Sequence, residues 1–325
     1  MRFALLTLAW LLLASPAVAQ DNDDVTLLLN WYLYSEHAPF FLGKARGYFA
    51  DEGISLEIQE GRGSSSTVQA VAAGTVEFGY ADVATMIKAA ARGAPVKAVG
   101  VLLQTSPMSV MGLAEKNIRT PEDIKGKIVA VTPGDSMSQV WPLFLQKTGI
   151  SEDDFQTVSG DAQTKLNAVI NDRADLLLGY LMDQNMRIYD ATGKDVHVIP
   201  FADYGVNLVS SGIITSTGMI EDNPDLVRRF LAAASRSIEA AVVEPEAAVD
   251  AMLASNPDAG ERDTLLRGLE LTIPLYHTPE TKGMAPFRVS DANMADSVQM
   301  LIDYGGVEAD AASDPTAFYT NEFLP

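Results

Sequence analysis

The chain has 325 residues, with 43 Asp and Glu against 23 Lys and Arg, three His and no Cys, for a formal net charge of -20. That length accommodates two domains of roughly 150 residues each, and the acidity, with no basic stretch, excludes nucleic acid as a partner. The absence of cysteine excludes disulfides, cysteine-ligated zinc, iron–sulfur clusters and thiol nucleophiles together.

At the N-terminus Arg2 precedes the apolar run Phe3 to Leu13, then Ser15-Pro16 and Ala17-Val18-Ala19. A charged start, a short apolar middle and an Ala-x-Ala site are the pattern of a secretory leader over residues 1-19. The apolar run is too short for a membrane span, which needs about 20 residues. No cysteine follows the cleavage site to carry a lipid. A soluble, monomeric protein of the periplasm is therefore expected.

Val25 to Asn30 reads as a buried strand, and the segment opened by Pro39 as a helix ending near Gly53. Ile54 to Ile58 alternates as a second strand; Ser64 to Ala73 and Val83 to Ala91 read as helices, with Tyr80-Ala-Asp82 closing a short strand between them. Val96 to Leu103 and Ser109 to Ala114 are again strand-like. After Thr120-Pro-Glu-Asp the alternation restarts with strands at 127-132, 155-158, 175-178 and 196-199 and helices at 137-147, 164-171 and 183-191. An apolar stretch from Gly205 to Ile214 follows, and Asn223-Pro-Asp opens a long amphipathic helix. The pattern predicts an α/β fold of two lobes: residues 20-117 with 205-325, and an inserted unit, 118-204. Two hinge crossings, near Leu113 to Asn117 and Tyr204 to Asn207, would flank a ligand cleft.

Leu29-Asn-Trp-Tyr32, His37-Ala-Pro-Phe-Phe41, Gly47-Tyr-Phe49, Glu52-Gly-Ile54, Glu77-Phe-Gly-Tyr-Ala-Asp82, Thr120-Pro-Glu-Asp-Ile-Lys-Gly-Lys127, Phe201-Ala-Asp-Tyr-Gly-Val206 and Asn223-Pro-Asp-Leu-Val-Arg-Arg-Phe230 together resemble periplasmic solute-binding proteins of the thiamine-pyrimidine-precursor type. These are relatives of alkanesulfonate, taurine and nitrate receptors. The resemblance implies a type II periplasmic binding fold that delivers a small solute to an ABC permease driven by a separate ATPase. Yeast-type pyrimidine synthases of the same superfamily serve as their own histidine source and depend on a cysteine-rich iron-binding motif. The cysteine-free chain departs from that motif.

Candidate ligand contacts lie where strands end, the position ligands take in open α/β sheets. Trp31 and Tyr32 offer flat faces for a heterocycle, with core packing as the competing reading, and the resemblance favours Trp31 as the stacking platform. Glu36 and His37 are candidates to hydrogen-bond ring nitrogens, with a capped loop residue as the competing reading of His37. Arg62, Ser64 and Ser65 precede a helix in one loop, and Gly134, Asp135 and Ser136 do so in another; each loop is a candidate grip on a polar or anionic atom, against ordinary capping. Tyr80, Asp82, Ser109, Tyr180, Asp183, Asn185 and Tyr204 complete the set, Asp183 equally readable as a helix cap. No nucleophile elbow, zinc helix, P-loop or cofactor fingerprint occurs, so neither catalysis nor a cofactor or metal is expected. The expected ligand is a small nitrogenous heterocycle. The alternatives are a sulfonate-type anion gripped by Arg62 and Ser64 to Ser66, or an enzyme of pyrimidine biosynthesis; uptake and sensing both stay open.

Overall fold

The computed structural model describes residues 22–325; the expected leader lies outside them. In chain order the first half holds β1 (Asp23–Leu28), α1 (Ala38–Ala45), α2 (Tyr48–Asp51), β2 (Ile54–Gln59), α3 (Ser64–Ala72), β3 (Phe78–Asp82), α4 (Val83–Ala90) and β4 (Val96–Val101). Next come β5 (Met108–Leu113), β6 (Ile128–Val131), α5 (Ser136–Thr148), β7 (Gln156–Ser159), α6 (Ala162–Ile170), β8 (Leu176–Tyr180), α7 (Gln184–Thr192) and β9 (Val196–Pro200). The chain then returns through β10 (Ser211–Ser216) to α8 (Thr217–Asp222), α9 (Pro224–Val243), α10 (Pro245–Ser255), α11 (Arg262–Thr272) and α12 (Asp291–Asp303). The helix expected from Pro39 to Gly53 is two, because Gly47 takes a φ of 76°, which ends the first and caps the second. No helix among the described residues is long and apolar enough to cross a membrane.

The described strands form two five-stranded sheets, ordered β2-β1-β3-β10-β4 and β7-β6-β8-β5-β9. In each, four strands run in one direction, and a fifth, inserted between the third and fourth of them, runs antiparallel to both neighbours. The inserted strand is the one that follows a crossing, β10 in the first sheet and β5 in the second. β3 and β8 are buried along their whole length, as expected of central strands covered by helices on both faces. Phe230 of α9 stacks on Phe78 of β3 at 4.0 Å in the first lobe. Trp141 and Phe144 of α5 stack on Phe201 in the second, with centroids 5.9 and 4.3 Å apart.

The first crossing differs from its expected place. β5 pairs antiparallel with β8 and β9, so residues 108–113 belong to the second sheet and the crossing runs through 102–107, not through Leu113 to Asn117. The strand is apolar and buried throughout, and such a run carries no mark of which sheet it will join. Gly112 suits this position: a Cβ there would lie 2.4 Å from the carbonyl oxygen of Asp175 at the start of β8. The return crossing, between β9 and β10, spans 201–210 and includes the expected Tyr204 to Asn207.

Candidate functional site

The carboxyl ends of β1 and β3 in one sheet and of β6 and β8 in the other face each other, the placement the α/β switch-point rule predicts for a ligand. Between them lies a narrow void of about 350 Å³, counting space that opens to solvent. Asn30, Trp31, Tyr34 and Ser64 line it from the first lobe. Asp135, Ser136, Met137, Lys165, Gly179, Tyr180, Asp183 and Gln184 line it from the second.

The N-terminus of α5 is capped by Asp135, whose Oδ1 accepts from the Ser138 N–H at 2.7 Å. Its Oδ2 accepts from Lys165 Nζ at 3.0 Å, and both side chains are almost wholly buried, at 6% and 2% exposure. The same ammonium stands over the Trp31 ring, 5.4 Å from its centroid, a cation–π contact between the lobes. Trp31 Nε1 is buried and has no partner among the described residues.

Asp183 bridges the lobes rather than capping α7. Its Oδ2 accepts from the Tyr32 hydroxyl at 2.7 Å, and its Oδ1 pairs with Arg187 Nε at 2.6 Å. Burial and the neighbouring Asp183 carboxylate raise the Tyr32 hydroxyl pKa, so it stays a donor. Gln184 Nε2 donates to the Tyr32 hydroxyl at 3.1 Å, and its Oε1 accepts from the Tyr180 N–H at 2.8 Å. Beneath the cleft, the Tyr180 hydroxyl meets Ser136 Oγ at 2.9 Å and Ser210 Oγ at 3.3 Å, and Ser210 donates to Asp82 at 3.2 Å.

Of the residues singled out from sequence, Trp31, Ser64, Asp135, Ser136, Tyr180 and Asp183 line the void together. Tyr32 sits at its edge, with Arg187 over its ring at 4.6 Å. Ser65 and Gly134 touch across the cleft, N–H to carbonyl at 3.2 Å. Glu36, His37, Tyr80 and Asp82 lie behind the wall, fully buried. Tyr34 and Tyr80 donate to the Glu36 carboxylate, and burial raises its pKa. His37 Nε2 meets Asn30 Oδ1 at 2.8 Å, and burial pushes the imidazole down to about 3. These two are supports of the loop, not lining groups. Ser109 is buried in β5 and donates to the Pro107 carbonyl. Arg62 is exposed outside the void, Asn185 bonds to the N–H of Met186, and Tyr204 packs edge-on against Phe144.

Lys165 and Gln184 are the lining residues that sequence reasoning passed over. For Lys165 a signal exists: the lysine shares a buried helix face with Leu166, Ala168 and Val169, an unusual place for a cation unless it is paired. Gln184 immediately follows Asp183 at the start of α7, and a glutamine there carries no distinguishing pattern.

Comparison with known proteins places this geometry among relatives. The chain is 27% identical over 317 residues to the riboflavin-binding protein RibY of Chloroflexus aurantiacus, covering 96% of this chain and 89% of that one. It is also 27% identical over 314 residues to the 4-amino-5-hydroxymethyl-2-methylpyrimidine phosphate synthase of Legionella pneumophila, covering 95% of each. A formylaminopyrimidine-binding protein of Halalkalibacterium halodurans is 26% identical over 78% of each chain. Among solved structures, the alkanesulfonate-binding protein SsuA of Xanthomonas axonopodis bound to MOPS superposes with a TM-score of 0.70 at 14% identity, over 90% of this chain and 99% of that one. The shared fold is the type II periplasmic binding fold. The profile of the family described as NMT1/THI5 like matches residues 34–248, and the chain belongs to that family.

Proposed function

We propose that the protein is a solute-binding receptor that closes its two lobes over a small, flat, nitrogenous heterocycle of the pyrimidine or flavin kind. The observation that carries this reading is the void between the lobes, walled by the Trp31 ring and by polar side chains of both sheets. A cleft whose walls come from two bodies binds by closing, since the ligand contacts both only in the closed state. The relatives named for riboflavin and formylaminopyrimidine support the ligand class. On this reading the protein works in the periplasm and hands its ligand to an ABC permease with a separate ATPase.

The Legionella relative's name makes a synthase the second reading. The histidine-consuming chemistry of such enzymes needs a histidine in the cleft, and the residues that line the void include none. The histidine-consuming step therefore finds no fit here, and Lys165, the lysine among the lining residues, is engaged by Asp135.

A calorimetric and thermal-shift panel of pyrimidines, flavins, alkanesulfonates and nitrate tests the receptor reading. A ligand at a hundred times its Kd stabilises the folded protein by about 2.7 kcal/mol, a rise of several degrees in Tm. A heterocycle is expected to produce it. A rise with sulfonates alone overturns the ligand class, and turnover of a pyrimidine product by the purified protein overturns the receptor reading.

A further inference from the structure

Each charged side chain that lines the cleft is already matched. Lys165 pairs with Asp135 at 3.0 Å, and Asp183 pairs with Arg187 at 2.6 Å. Behind the walls stand two further acids, Glu36 and Asp82, with the His37 imidazole, which burial keeps neutral, and Lys88, whose charge acts on Asp82. At the start of α3 two backbone donors are already taken. The Ser65 N–H is engaged by Gly134 and the Ser66 N–H by Gly63, while the Arg62 guanidinium lies outside the void. What remains unspent is donor capacity without net charge. Trp31 Nε1 is buried without a partner, and among the described residues the Lys165 ammonium gives one of its three N–H bonds, to Asp135.

Building on the receptor reading above, we propose that the Asp135–Lys165 pair is the charge filter of the cleft. It keeps the site electrically balanced, so that the site accepts an uncharged ring presenting carbonyl or ring-nitrogen acceptors and rejects small anions. The physical ground is desolvation. A buried anion needs a cation not already neutralised or a set of converging N–H donors; here Asp135 neutralises the cation, and its carboxylate stands at the start of α5, where it repels a second anion. A carbonyl or ring nitrogen needs only a donor, which Lys165 still supplies without losing its carboxylate.

The pair can be unbalanced with little disturbance of the helix, because asparagine caps a helix as well as aspartate does. Asp135→Asn retains an acceptor for Ser138 and leaves the Lys165 charge unmatched. The full chain is titrated by calorimetry at low salt with nitrate and methanesulfonate, and separately with riboflavin and 4-amino-5-hydroxymethyl-2-methylpyrimidine. The wild type is expected to ignore the anions at millimolar concentration, and D135N to bind them at least tenfold more tightly. Lys165→Met is expected to bind no anion and to lose at least tenfold in affinity for whichever ring the wild type binds. The double variant, neutral again, is expected to lose the gain seen in D135N. A purely structural role for the pair would weaken binding of both probe classes and would create no new anion affinity. Should D135N fail to fold, Asp135→Ser carries the same test. Anion binding by the wild type equal to that of D135N, or no gain in either Asp135 variant, overturns the charge filter and leaves the receptor reading standing. A gain in D135N together with no ring bound by the wild type keeps the filter and sinks the heterocycle reading.

Discussion

Asp82 is buried at the N-terminus of α4, where one carboxylate oxygen accepts from the N–H and the hydroxyl of Thr85, both at 2.8 Å. Burial lifts its pKa from 3.8 to about 6; the Thr85 and Ser210 hydrogen bonds and the charge of Lys88 only partly oppose this. The folded state thus binds the Asp82 proton more tightly than the unfolded chain does. Its contribution is present in full below the unfolded value and is lost as pH rises through the folded one, about 3 kcal/mol in all. Asp82→Asn keeps the cap and removes the titration. In urea melts the variant is expected to gain on the wild type by up to that amount between pH 4 and pH 7; a constant difference between the two would refute the assignment. The same burial decides between the two readings of His37 that the sequence leaves open. A histidine in a polar, aromatic loop looks available to a ligand, yet the loop folds back as a short buried turn, Ser35–His37, and the imidazole is spent on Asn30.

At the scale of elements, closure depends on how nearly the start of α3 can approach the start of α5. Gly63 stands just before α3 with a φ of 130°, and a Cβ there would lie 2.8 Å from the Gly134 carbonyl oxygen. Gly63→Ala therefore strains the backbone and wedges the two loops apart, breaking the Ser65–Gly134 hydrogen bond. Ligand affinity is expected to fall about tenfold or more, a cost of at least about 1.4 kcal/mol; calorimetry with a ligand found in the panel measures it, and an unchanged Kd would show that the loops need not meet. Most elements were legible because burial imposes a period. Alternation marked β2, and a 3.6-residue apolar stripe marked α9. The assignment of β5 was not legible, since a strand buried on both faces has no alternation and its partners are set by where the crossing lands.

For the whole molecule, the bridges that join the lobes at the cleft mouth come mainly from α7. Arg187 Nη2 donates to the Leu33 carbonyl at 3.1 Å, and Asp190 pairs with Arg267 of α11 at 3.4 Å. Both contacts exist only when the lobes are together. Arg187→Ala is expected to leave the far-ultraviolet circular dichroism unchanged and to raise the ligand's Kd about tenfold, through faster release. Small-angle scattering should show the variant with a larger radius of gyration at a ligand concentration that closes the wild type. Equal radii would place the closing energy elsewhere.

Sequence by itself determined the alternation of strands and helices, the two-lobed α/β architecture and the family, because apolar periodicity and turn chemistry are local properties of the chain. It also pointed to Trp31, Ser64, Asp135, Ser136, Tyr180 and Asp183, since loops that follow strands lie at the carboxyl edge of a sheet whichever sheet they join. Only the tertiary structure decided that β5 crosses into the second sheet, that Glu36 and His37 support the cleft from behind, and that Lys165 enters it. Each of these depends on contacts between residues far apart in the chain: Met108 with Tyr180, Glu36 with Tyr80, and Lys165 with Asp135 and Trp31. The direction of a buried side chain is set by the docking of its whole element, a quantity that no local pattern carries.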